Sequence, residues 1–246
     1  MEQPNIKILT PCYMGQVNVA YTQSMMNFYP YSFENGIKFS WNTLPNCSLI
    51  SLGRSSMLHL ALEDDSWTHI MWIDADLQFQ PGYIHSMILD DKDIVGGFYP
   101  KKSFPIDFAS CPVPDGDHTE DLFETYFVAT GFMLVKREVI EKMVEHYREE
   151  LHMKYQNQSN MVHLFHPLID RETDDLFLTE DYAFCKRARD IGFKCYVSKK
   201  FAMPHIGVAS YSIEEENEIL QKYEELGLIK VNRDANRNYF SALQNK

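Results

Sequence analysis

The sequence is short of the features that mark several common protein classes. It has only five cysteines, Cys12, Cys47, Cys111, Cys185 and Cys195, and no CxxC among them. An odd, scattered set supplies neither a disulfide framework nor a zinc site, and fits reduced thiols in a cytosolic compartment. Basic residues are scarce: 23 Lys and Arg against 35 Asp and Glu give a formal net charge of -12. Binding to a nucleic-acid backbone needs clustered positive charge, so no nucleic-acid partner is expected. No stretch reaches the roughly 18 consecutive apolar residues of a membrane span. The opening MEQPNIKILTPCY has neither a basic leader nor a long apolar core. A soluble, cytoplasmic protein without an integral membrane segment is expected. Low-complexity tracts, internal repeats and linker-like stretches are also missing, which argues against disorder and against a string of domains.

What remains is 246 residues of ordinary globular composition, 45% hydrophobic and 24% charged. That length suits one large domain with a substantial core. Ile6 to Leu9 reads as a buried first strand that opens into a loop at Thr10-Pro11-Cys12-Tyr13. Val17 to Phe28 has helical spacing, closed by the cluster from Pro30 to Gly36. Ile37 to Trp41 reads as a second strand, and Ser51 to Glu63 as a helix. His69 to Ile73 is an apolar strand that stops at Asp74-Ala75-Asp76. Pro81 opens a short helix through Leu89, and Asp93 to Phe98 is another buried strand. Pro100 to Glu124 reads as an irregular excursion, Thr125 to Val135 as a strand, and Arg137 to Glu150 as an amphipathic helix. Leu151 to Thr179 has no clear period. Glu180 to Ile191 reads as a helix, Lys194 to Val197 as a strand, and Ile213 to Leu226 as a charged final helix.

Strands alternating with helices in this way predict an α/β fold, with a mostly parallel central sheet flanked by helices and long loops over its carboxyl ends. The expected parts of this single domain are two halves, 1-100 and 101-212, and a C-terminal helical extension, 213-246. Ligands of such sheets sit beyond the carboxyl ends of the strands, where Tyr13 and the Asp pair both fall.

Two carboxylates one residue apart at a strand end point to the same side of the pleat, so Asp74 and Asp76 can face one cation. A hard divalent ion, Mg²⁺ or Mn²⁺, takes oxygen ligands and keeps positions open for phosphates, which suits a diphosphate ligand of an acidic protein. The plainer alternative is an acidic turn facing solvent.

This segment resembles the DxD region of GT-A glycosyltransferases, and the resemblance extends over most of the chain. SLGRSSMLHLAL, MWIDADLQF, DIVGGFYPKK, TGFMLVKREVIEKM, TEDYAFCKRARDIGF and MPHIG follow one another in the order found in that family. The resemblance implies transfer of a sugar from a nucleotide-diphosphate donor, most simply a UDP-sugar, to a hydroxyl acceptor such as a glycan. It implies that Asp76 binds the metal directly, that Asp74 reaches ribose or metal, and that His205 completes the metal shell. Asp181 in Glu180-Asp181 takes the place of the acceptor-activating base, and Glu180 that of an acceptor-binding group. Thr10, Pro11 and Tyr13 take the place of the loop around the base, with Tyr13 free to stack on it. Arg54 could pair with the diphosphate or the base edge, or lie on a helix surface. Gly131 could admit a ligand close to the backbone or mark a strand bulge, and Lys101-Lys102 could hold phosphate or be solvated surface. Two rivals stay open: a nucleotidyltransferase, although TPCYMGQV has a single glycine where a phosphate loop would be glycine-rich, and a non-catalytic carbohydrate-binding protein on the same fold.

Overall fold

The computed structural model describes residues 3–103, 105–207, 210–211 and 218–228. Its strands are β1 (Asn5–Cys12), β2 (Lys38–Pro45), β3 (His69–Ile73), β4 (Ile94–Phe98), β5 (Leu122–Thr125), β6 (Phe132–Lys136), β7 (His152–Tyr155), β8 (Gln158–Val162), β9 (Leu168–Asp170), β10 (Leu176–Leu178), β11 (Cys195–Ala202), β12 (His205–Ile206) and β13 (Ser210–Tyr211). Its helices are α1 (Val19–Glu34), α2 (Ile50–Ala61), α3 (Pro81–Leu89), α4 (Arg137–Leu151), α5 (Glu180–Asp190) and α6 (Glu218–Glu225).

Seven strands form the central sheet in the order β2-β1-β3-β6-β4-β11-β5. β1 runs parallel to β2 and β3, and β4 parallel to β11, whereas β6 and β5 run against their neighbours. The sheet is therefore mostly parallel, as expected, with two reversed strands. Buried apolar side chains cover both of its faces, one group including Trp67, Trp72 and Phe165, the other Tyr21, Phe28 and Phe132. Strands buried on both faces read as continuous apolar runs, which is why HIMWI and IVGGF stand out in the sequence. α4 buries Val139, Ile140, Met143 and Tyr147, one stripe at helical spacing.

Several boundaries differ from the sequence reading. β1 continues through Pro11 and Cys12 because the edge strand β2 pairs with it residue for residue up to Cys12↔Pro45. Pro30 lies inside α1 rather than ending it. It is exposed there, so the carbonyl four residues back can turn to water. The stretch from Leu151 to Thr179 holds two small antiparallel hairpins, β7–β8 and β9–β10. Of the final helix, 213–217 lie outside the described residues; α6 packs Tyr223 against Phe98, Phe108 and Phe123. No described helix is long and apolar enough to cross a membrane.

Candidate active site

The turns after β1, β2 and β3 open on one side of the sheet, at the carboxyl ends of these parallel strands. Together with the first turns of α2 and α5 they enclose a cavity of about 510 Å³. Its lining includes Pro11, Tyr13, Arg54, Asp74, Ala75, Asp76 and Glu180, seven positions singled out from sequence, together with Asn18, Cys47 and Ser48. Tyr13 stands at the mouth, 69% exposed as a residue. Thr10 does not reach the cavity: it is fully buried, and its hydroxyl is 2.6 Å from that of Tyr21 beneath the floor.

Backbone bonds fix the Asp74-Ala75-Asp76 turn on three sides. Asp74 N–H donates to Gly131 O at 2.8 Å, Asn18 N–H to Ala75 O at 2.7 Å and Ile206 N–H to Asp76 O at 2.8 Å. The last bond brings the MPHIG segment, and with it His205, to the Asp pair from more than a hundred residues away.

The two aspartates have different partners. Arg54, 2% exposed, donates from Nη2 to Asp74 Oδ1 at 2.8 Å, and its Nε lies 3.8 Å from Glu180 Oε1. Among the described residues, its Nε and Nη1 have no hydrogen-bond acceptor. Arg54 is thus not a helix-surface residue: it is the buried countercharge of Asp74, and its two further donors beside a cavity favour an anionic ligand. Asp76 Oδ2 pairs with the Lys102 ammonium. Its Oδ1 is buried, has no well-aligned hydrogen bond from any described residue, and lies 3.4 Å from His205 Nε2.

The second nitrogen of His205 decides what that approach means. Nδ1 is 3.0 Å from Pro100 O. A carbonyl can only accept, so Nδ1 carries a proton and the bond aims Nε2 at Asp76. The carboxylate and Nε2 so placed could share a proton, or, with Nε2 unprotonated, ligate one cation from two sides. Burial works to raise the Asp76 carboxyl, but the neighbouring His205 and Lys102 outweigh it and hold it below the usual range. Asp76 and His205 therefore fit a divalent cation, while Asp74 is engaged by Arg54. Among the described residues, no group of three or more His, Cys, Asp or Glu side chains gathers into a metal cage. A cation there would need its other ligands from water or a bound anion.

Of the Glu180-Asp181 pair, Glu180 faces the cavity. Burial above all, and Asp181 next, raise its carboxyl above the usual range, with Arg54 pulling the other way. Asp181 Oδ1 accepts from the Thr179 hydroxyl at 2.6 Å and from Tyr182 N–H at 2.9 Å. Gly131 is a point of close approach within the protein: a Cβ there would stand 2.3 Å from the Tyr99 hydroxyl and 3.1 Å from Asp74 Oδ2. Tyr99, which sequence reasoning missed, had no signal beyond ending an apolar run. Burial, then the Asp74 charge, keep its phenol protonated well above the usual range.

No protein-family model and no curated protein sequence matches the chain. Solved structures do. The A197 protein of STIV is 15% identical over 83% of this chain and 86% of that one, with a TM-score of 0.50. A glycosyltransferase involved in glycosylation of the major capsid of PBCV-1 is 20% identical over 60% of this chain and 68% of that one, with a TM-score of 0.35. The first likeness is one of fold alone; the second is too loose to bear on activity.

Proposed function

We propose that this chain is a glycosyltransferase that moves a sugar from a nucleotide-diphosphate donor, a UDP-sugar in the simplest case, to a hydroxyl acceptor. The observation that carries the proposal is the convergence of Asp76 Oδ1 and His205 Nε2, 3.4 Å apart, beside a cavity lined by Asp76, Arg54 and Tyr13. A divalent cation, Mn²⁺ or Mg²⁺, held by Asp76 and His205 would offset charge growing on the departing diphosphate. Tyr13 offers an exposed ring for the base to stack on. Arg54 neutralises Asp74, leaving that carboxylate to accept a hydrogen bond from a donor hydroxyl without adding net charge.

Glu180, rather than Asp181, is the carboxylate placed to receive the acceptor's proton, because it faces the cavity while Asp181 is engaged by Thr179 and Tyr182. Its raised affinity for protons suits a base working near neutral pH. The acceptor oxygen then bonds to the anomeric carbon as the bond to the diphosphate oxygen breaks, the electron pair leaves on the nucleotide diphosphate, and the configuration inverts. The test is release of UDP or GDP from a panel of nucleotide sugars by the protein and by Glu180→Gln and Asp181→Asn. Release that falls at least about 100-fold in Glu180→Gln, and far less in Asp181→Asn, supports the assignment. The reverse order returns the base to Asp181, and no release from any donor in the panel counts against the reaction itself.

A further inference from the structure

The turn that follows β4 sends a positive charge onto the carboxylate of Asp76. Pro100 pairs with Phe108 across this turn, and Lys101 N–H donates to Asp107 O at 2.7 Å. The Lys101 ammonium meets Asp107 Oδ2 at 2.6 Å, and the rings of Phe98 and Phe108 stack at 4.3 Å. The turn is thus clamped at its base by backbone, ion pair and ring contact. Next to that clamp Lys102 reaches across to Asp76 Oδ2, while Pro100 of the same turn holds His205 through its carbonyl. One short segment therefore orients one partner of Asp76 and supplies the other.

An ammonium on a carboxylate oxygen occupies the place a divalent cation would take, and two cations that close repel strongly in a half-buried setting. The Lys102 side chain is 31% exposed. Its flexible stem lets the ammonium swing away by rotamer change while the turn stays clamped. The anion within reach of the same cavity is then the donor's diphosphate.

Resting on the donor-site reading above, we infer that Lys102 is the built-in counter-ion of this site: it holds Asp76 in the donor-free protein, gives way to a divalent cation, and transfers its charge to the diphosphate. Its role is both competitive and cooperative, which separates it from an ordinary surface lysine. Removing it should tighten binding of the metal alone and weaken binding of the diphosphate.

The experiment is calorimetric titration of Mn²⁺ alone, and of inorganic pyrophosphate at saturating Mn²⁺, into the protein, Lys102→Met and Asp76→Ala, with thermal melts to confirm that each variant is folded. Lys102→Met is expected to bind Mn²⁺ roughly fivefold to tenfold more tightly and pyrophosphate more weakly by a similar factor, the scale of one part-exposed ion pair. If Mn²⁺ binding requires Asp76 but Lys102→Met changes neither titration, the inference is overturned and the donor site stands. If the unaltered protein binds no Mn²⁺, or binding survives Asp76→Ala, the donor-site reading is overturned and this inference falls with it.

Discussion

Replacing Gly131 by alanine tests whether the Asp74 turn is packed as described. The added Cβ would lie 2.3 Å from the Tyr99 hydroxyl, 3.0 Å from its ring carbon and 3.1 Å from Asp74 Oδ2. The backbone of Gly131 is not in the left-handed region, so the cost arises from crowding alone. Tyr99 is 7% exposed and has little room to retreat. Overpacking of this kind costs about 1–3 kcal/mol, and in a chain of this length that lowers Tm by roughly 3–10 °C. Because Asp74 N–H is bonded to Gly131 O, the displacement should also move the Asp pair and weaken donor binding. Tyr99→Phe removes the atom nearest the new methyl, so the double variant should recover most of the loss. Calorimetric melts of the four proteins of this cycle measure it. A Gly131→Ala protein as stable as the parent, or a double variant no better than the sum of the singles, would refute the reasoning.

Arg54→Met removes the buried countercharge of Asp74 and Glu180; a loss of about 2–4 kcal/mol in urea unfolding is expected, with a loss near zero ruling out a structural ion pair. A pH dependence follows from His163 and His69, both brought down to about 4, by burial first and then by positive neighbours. The unfolded chain takes up these protons near pH 6.5 and the folded one only near 4. Stability is therefore full above about 7, falls as pH drops through 6.5 and levels off below 4, by about 2 kcal/mol for each histidine between pH 7 and pH 5. Urea midpoints at the two pH values, with His163→Gln flattening the slope, check this; identical slopes would contradict it.

Much of the site was legible because it is local. The apolar strand ending in Asp74-Ala75-Asp76, the proline-led α3 and the amphipathic α4 are all short-range patterns, and the structure has them where the residues put them. The order of motifs also brought Arg54, Glu180 and His205 into view before their contacts were known. What escaped depends on distant partners. The direction of β6 and β5 is set by which strands they pair with, not by VATGFMLV or LFET. β7 to β10 are three to five residues long and largely exposed, so they carry no alternation to read. Thr10 turned inward because Tyr21 meets it there, and Asp74 differs from Asp76 because Arg54 arrives from α2. None of these pairings has a signature in the neighbouring residues.

The central claim, a metal-assisted diphosphate site built on Asp76, is tested most directly by titrating UDP and GDP into the protein with Mn²⁺ and with EDTA, and repeating the titration with Asp76→Ala. The account predicts that one nucleotide binds with Mn²⁺, loses most of its affinity in EDTA, and fails to bind the variant. Nucleotide binding that ignores both EDTA and the Asp76 substitution would contradict it.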